Sequence, residues 1–198
     1  MNFRVGVVGD IHGEAEILEH LLERVDPTLD HLVFAGDYVN RGKRSAQVLE
    51  RLIRLSRERS CTFLAGNHDR AMLSAIRDDQ FDAFLQLGGA ATVRSYVENP
   101  SGDVASQFAS SVPREHVEFL SLLSKFYEAD GLYVVHDPKD LPPVQPGSPF
   151  LVCGHMPQAG LLPRIDRRVA YVDTGCGTLP HGRLTCLNWP ALDWVQVP

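Results

Sequence analysis

Short apolar runs alternate along the chain with longer stretches whose apolar positions recur every three to four residues, the pattern of a protein that lays strands between helices. Arg4 to Val8 reads as a first strand. Glu14 to Val25 follows as a helix with Ile17, Leu18, Leu21, Leu22 and Val25 on one face, and Asp26-Pro27 stops it because a residue before proline is steered out of the helical region. A second strand covers His31 to Phe34. Ser45 is placed to N-cap a helix carrying Val48, Leu49, Leu52 and Leu55, which leads to a third strand over Cys61 to Leu64. Two βαβ units in series result, so the fold class is α/β.

From Arg70 to about Tyr127 the apolar spacing is mostly helical, at Phe81, Phe84, Leu85 and Leu87 and again at Val117, Leu120 and Leu123. The expected organisation is one domain over residues 1–198 with a helical cap inserted at about 70–127. Asn99 to Ser106 reads as a surface loop inside it, and Gly88-Gly89 as the turn that opens a helix over Ala90 to Val97. Strands return at Leu132–Val135, Phe150–Cys153, Val169–Asp173, Leu184–Asn188 and Trp194–Val197. Asp137 to Pro149 holds five prolines and is expected to be an exposed loop.

Composition narrows the partners. Nineteen Lys and Arg against 25 Asp and Glu give a net charge of −6, which argues against nucleic acid or an anionic membrane as a partner, since both need clustered cations. The apolar run after Met1, Asn2, Phe3 and Arg4 stops at Asp10, too short for a signal peptide, and the expectation is a cytoplasmic protein. Cys61, Cys153, Cys176 and Cys186 form no C-x-x-C pair and read as reduced core residues.

The polar residues at the strand ends carry the chemistry. Gly9-Asp10-Ile11-His12-Gly13 follows the first strand, Gly36-Asp37-Tyr38-Val39-Asn40-Arg41-Gly42 the second, and Gly66-Asn67-His68-Asp69 the third. His136 and Gly154-His155 close two later strands in the same way. In an α/β sheet ligands bind at carboxyl strand ends, and one βα repeat separates each of the first three clusters from the next. Carboxylate, amide oxygen and imidazole together make a mixed O/N site for divalent ions such as Mn, Fe or Zn. Arg41, with a rigid fork of donors, suits bidentate binding of phosphate.

These five motifs, in this order, resemble the signature GDxHG, GDxxDRG and GNH(E/D), followed by two single histidines, of the PPP-type, calcineurin-like metallophosphoesterases, in particular the small bacterial serine/threonine protein phosphatases. The tail, Val172-Asp173-Thr174-Gly175 and Gly182-Arg183-Leu184-Thr185, is also similar to the strands that close such sheets. The resemblance implies a four-layer α/β/β/α sandwich. It implies two divalent metal ions, Mn2+ first, with Fe, Zn, Ni or Co as alternatives. Asp10, His12 and Asp37 would hold one ion and Asp37, Asn67, His136 and His155 the other. Arg41 and Asn67 would bind the substrate phosphate, and His68 would protonate the leaving group with Asn40 beside it. Water between the metals would attack phosphorus directly, with no covalent enzyme intermediate.

Three departures from the family pattern matter. Asn40 stands where an Asp usually pairs with the acid histidine, and an amide orients an imidazole without holding an imidazolium by charge, so poor leaving groups should be hydrolysed less well. Asp137-Pro138 follows His136 where relatives have small residues. No arginine lies between His136 and His155 to serve as a second phosphate ligand, leaving Lys139 or Arg164 as replacements. The expected function is phosphomonoester hydrolysis on a phosphorylated protein or a small phosphomonoester, with no partner protein identifiable. The alternatives are a symmetrical dinucleoside tetraphosphatase, a small-metabolite phosphatase, or a catalytically weak binding module on the same fold.

The remaining candidates have plainer readings. Asp69 is expected to start the next helix as a structural residue near its positive end. His20, His31 and His116 read as surface or helix residues, and His181 as part of a turn at the rim. Gly42-Lys43 has the wrong spacing for a phosphate loop.

Overall fold

The computed structural model describes residues 3–78, 80–143, 145 and 147–198. Two five-stranded mixed sheets carry the fold. In the first, β1 (Val5–Val8) lies centrally, pairing in parallel with β2 (His31–Phe34), which pairs in parallel with β3 (Cys61–Phe63). On its other side β1 pairs antiparallel with β9 (Leu184–Trp189), and β10 (Trp194–Val197) forms that edge. The second sheet runs in the order β4 (Phe126–Ala129), β5 (Leu132–Val135), β6 (Phe150–Cys153), β8 (Val169–Tyr171) and β7 (Arg164–Ile165), with β5, β6 and β8 mutually parallel.

Both faces of the first sheet are buried, which is why its strands read as continuous apolar runs instead of alternating ones. Val5, Val7, Val33 and Ala35 face Leu132, Val134, Val152 and Ala170 of the second sheet across a shared core. Val8, Leu32 and Phe34 turn the other way, into a core with Leu18 and Leu21 of α1 (Ala15–Arg24) and Leu49 and Leu52 of α2 (Ser45–Glu58). Helices α3 (Asn67–Arg77), α4 (Phe81–Gln86), α5 (Ala90–Tyr96), α6 (Val104–Ser111) and α7 (Arg114–Ser121) extend that core through Met72, Phe84, Val93, Phe108 and Leu120. The α/β architecture of two stacked sheets is as expected. Among the described residues every α-helix precedes β4, so loops instead of helices follow β5, β6 and β8.

Three local expectations change. Within the stretch expected to be helical up to Tyr127, the chain ends α7 at Ser121 and forms β4, an edge strand whose hairpin to β5 turns at Asp130-Gly131. Both turn residues have positive φ, 50° and 75°, the geometry that twists with the strands. Ser45 is the first residue of α2 instead of its cap; Arg44 holds the cap position and, having no acceptor in its side chain, makes no cap bond, while the Ser45 hydroxyl meets Thr92 and the Asn40 N–H. The expected loop over 137–149 contains a short 3-10 turn at Pro138–Asp140, with Val144 and Pro146 outside the described residues. His116, read as a surface or helix residue, lies in α7 and is buried, its Nδ1 2.8 Å from the Tyr96 hydroxyl. No helix among the described residues is long and apolar enough to cross a membrane.

Candidate metal centre

Five strand ends meet at one place. Asp10 and His12 follow β1, Asp37 follows β2, Asn67 and His68 open α3 after β3, His136 follows β5 and His155 follows β6. The backbone there is unusual: His12, Asp37, Asn40, Arg41 and His155 all have φ between 48° and 74°. Left-handed non-glycine residues gather where a structure holds functional groups against local preference. Glycines give the room. A Cβ on Gly66 would overlap the Asp37 carboxylate, and one on Gly154 would overlap that of Asp10.

Asp37 is the hub. Its Oδ1 accepts the His68 backbone N–H at 3.0 Å, while Oδ2 lies 3.4 Å from His136 Nε2 and 3.8 Å from the Nε2 atoms of both His12 and His68. Two imidazoles are presented with a fixed tautomer. His12 Nδ1 donates to Val39 O at 3.2 Å and His136 Nδ1 donates to Ala35 O at 2.9 Å, which turns each Nε2 atom toward Asp37. His136 Nε2 also lies 3.1 Å from His155 Nδ1 and 3.2 Å from Asn67 Oδ1. His12, Asp37 and His68 thus form one group of donor atoms within 4.8 Å of one another, and Asp37, His136 and His155 a second. Asp37 is common to both.

Asp10 stands outside these groups among the described residues, its two carboxylate oxygens taking the His155 backbone N–H at 3.2 and 3.1 Å. Burial, Asp173 and Asp37 push its pKa well up, against His136. Burial also lowers His12 to about 4, against the pull of Asp37. His136 moves the other way: burial opposes its charge, but Asp37, Asp10 and Asp69 outweigh that and raise it to about 10. Asp37, despite its burial, is held below the usual carboxylate range by His136, His12 and His68. Crowded carboxylates around inward-facing imidazole Nε2 atoms fit divalent cations, which would replace the protons now needed to balance the site.

A second layer of contacts sets the neighbouring chemistry. Asn40 Nδ2 lies 2.9 Å from His68 Nδ1 and 3.5 Å from Leu87 O, while its Oδ1 accepts the Thr92 hydroxyl at 2.8 Å. This arrangement makes the amide a donor to His68 Nδ1, so the ring proton resides on Nε2, the atom turned toward the site. Burial lowers the pKa of His68, and the Arg41 charge adds to that against the pull of Asp37. Arg41 is exposed at the rim, its guanidinium resting beside Gly88. Asp69 is structural in its contacts: its carboxylate accepts the backbone N–H groups of Asp37 at 2.8 Å, Tyr38 at 2.9 Å and Gly66 at 2.9 Å.

The candidates for a second phosphate ligand are placed less favourably. Arg164 stacks over Tyr171 at 3.9 Å and pairs with Asp166, and Lys139 sits in the exposed 3-10 turn. Three residues to which sequence reading assigned no part in the site adjoin it. Thr92 and Ser45 share a hydroxyl pair at 2.8 Å, and both take the Asn40 backbone N–H. Nothing in the sequence joins Thr92 to a residue 52 positions away. Asp173 is buried beside Asp10, and its position in the tail motif after a strand was the available signal.

Comparison with known proteins agrees with this geometry. The calcineurin-like phosphoesterase family matches residues 3–172. A symmetrical bis(5'-nucleosyl)-tetraphosphatase of Pseudomonas putida is 38% identical over 98 residues, 48% of this chain and 32% of that protein. Serine/threonine-protein phosphatase 2 of Escherichia coli is 36% identical over 87 residues, 43% of this chain and 38% of that protein. The matches therefore span about a third of these relatives' length. A metallophosphoesterase from Sphaerobacter thermophilus superposes with a TM-score of 0.60 over 99% of this chain and 88% of its own, at 17% identity, a likeness of fold alone.

Proposed function

Because the chain belongs to the calcineurin-like phosphoesterase family, whose members depend on a dinuclear metal centre, we propose that it hydrolyses phosphate esters or anhydrides at a pair of divalent ions held by Asp10, His12, Asp37, Asn67, His136 and His155. The observation that carries this reading is the convergence of three Nε2 atoms on Asp37 Oδ2. When bound, the ions supply charge that polarises the phosphoryl group and activates a water for in-line attack. Mn2+ is the ion to test first. Arg41 and Asn67 bind and orient the phosphoryl oxygens, Arg41 by its fork of donors. His68 Nε2 gives its proton to the departing oxygen as the bond to phosphorus breaks.

Asn40 decides between substrates. A neutral imidazole, fed a hydrogen bond by an amide instead of paired with a carboxylate, serves a leaving group that needs little protonation, such as a phosphate oxygen. A serine or threonine alkoxide needs more. The preferred substrate is therefore a phosphoanhydride, and a symmetrical dinucleoside tetraphosphate cut to nucleoside diphosphate is the member of that class named for the Pseudomonas putida relative. Phosphomonoester hydrolysis on a protein or small molecule is the second reading, supported by the Escherichia coli relative. The test sets diadenosine tetraphosphate, a phosphothreonine peptide and p-nitrophenyl phosphate side by side, with Mn2+ or with chelator, beside Asp37→Asn. Metal-dependent release of ADP, lost in the variant, is expected. Preference for the phosphopeptide would install the second reading, and absence of turnover with metal bound would leave a binding module.

A further inference from the structure

We propose that Asp173 is an additional anionic member of the metal centre, supporting the ion that the Asp10 and His12 side would hold; this rests on the metal-centre reading above. Asp173 lies just past β8, the strand parallel to β6, and Val172 N donates to Cys153 O at 2.9 Å, so the carboxyl ends of the two strands lie level. Gly9 packs against the Val172 carbonyl so closely that any Cβ there would overlap it, which draws the ends of β1 and β8 together and sets Asp173 beside Asp10.

The side chain is 1% exposed. Its Oδ1 accepts the Gly175 backbone N–H at 2.9 Å, while Oδ2 is buried and has no hydrogen-bond partner in the protein. A buried carboxylate oxygen without a donor is costly, and its neighbours Asp10 and Asp37 make it costlier, because they add charge of the same sign. A cation nearby removes both costs. Like Asp10, Asp173 lies outside both groups of donors that close to within 4.8 Å, and with six ligands already assigned it acts as an outer partner of the ion. Such outer partners of a metal site commonly change metal affinity by about 10- to 100-fold when removed.

The test is Mn2+ binding by isothermal titration and metal content, together with the melting temperature with and without Mn2+, on the wild-type chain, Asp173→Asn and Asp173→Ser. Asn keeps an acceptor for Gly175 N and removes the charge. Serine does so with a smaller side chain, in case the amide is not accommodated. We expect wild type to bind two ions, and the variants to bind one of them about 10- to 100-fold more weakly. The metal-free melting temperature should be unchanged or higher in Asp173→Asn, since a like-charge contact is gone, while the rise on adding Mn2+ shrinks. A purely structural Asp173 would give the reverse, a lower metal-free melting temperature with the Mn2+ affinity and increment intact, and would overturn the proposal. If wild type itself binds no Mn2+, both this assignment and the metal-centre reading fall; if only the variants' affinity is unmoved, the metal centre stands and the role of Asp173 does not.

Discussion

Asp69 holds Asp37 by the backbone: its Oδ2 accepts the Asp37 N–H at 2.8 Å, and its Oδ1 accepts the neighbouring Tyr38 N–H at 2.9 Å. A residue in the first turn of α3 thereby fixes the loop after β2 and, through it, the carboxylate on which the site is centred. Both Asp69 and Asp37 are almost fully buried, and burial together with the Asp37 charge raises the pKa of Asp69.

Asp69→Asn should therefore lower both stability and metal affinity. The amide can replace only one of the two acceptor oxygens and sets a donor against the backbone N–H groups that met the other. Leaving buried donors unpaired costs about 1–3 kcal/mol. Urea denaturation of the metal-free protein reads the first effect and Mn2+ titration the second. Unchanged values in both would show that the loop is held by something else.

Asn40→Asp should favour poor leaving groups. A carboxylate in place of the amide would accept a proton on His68 Nδ1 and hold the charged ring, where the present amide donates to it at 2.9 Å. We expect the ratio of kcat/KM for an alkyl phosphate to that for an aryl phosphate to rise about tenfold, the lower part of the range for general acid catalysis. A ratio equal to wild type, with both substrates turned over, would refute the role given to Asn40.

Arg41→Lys should weaken substrate capture while leaving the fold intact, since Arg41 is exposed, with its guanidinium beside Gly88 at the rim. A point charge cannot reproduce two parallel hydrogen bonds to phosphate, and losing one charge-assisted bond costs about 1.5–3 kcal/mol. The expected change is a rise of roughly tenfold or more in KM. Steady-state kinetics on p-nitrophenyl phosphate measure it, and an unaltered KM with unaltered kcat would place phosphate binding elsewhere.

His116 should make the protein less stable in mild acid. Burial lowers its folded pKa below 6.5, against the pull of Glu50 and Glu115, and Tyr96 contacts its Nδ1. The unfolded chain then binds a proton that the folded chain resists, so the contribution is present above about pH 6.5 and lost as the pH falls through the folded pKa. Melting temperature followed from pH 7.5 to 5.5, with Mn2+ at saturation, should fall less steeply in His116→Gln than in wild type. Parallel slopes would remove His116 as a source of acid sensitivity.

The strand ends were legible because their pattern is local: Gly-Asp after an apolar run marks a turn that carries a carboxylate, and Asp10, Asp37, Asn67, His136 and His155 all came together. What could not be read depends on distant packing. β4 sits at a sheet edge with Phe126 and Glu128 exposed, so burial left no signature there, although Asp130-Gly131 is a hairpin signal in its own right. Thr92 is an ordinary helical residue until the fold lays α5 against α2 and puts its hydroxyl on Asn40. Asp173 resembled any acidic residue after a strand, and only the missing partner of its Oδ2 sets it apart.

The left-handed backbone at His12, Asp37, Asn40, Arg41 and His155 sets function against robustness. Each such residue gives up on the order of 1 kcal/mol relative to glycine, which occupies the same region without steric conflict. That gain is set against what each side chain holds: Asp37 takes the His68 backbone N–H and Asn40 the Thr92 hydroxyl, bonds whose loss costs about 1–3 kcal/mol, whereas Arg41 is exposed at the rim. A library of this chain sorted by melting temperature alone should drift toward glycine first at Arg41, yielding proteins that are harder to unfold and stripped of the guanidinium proposed to bind phosphate.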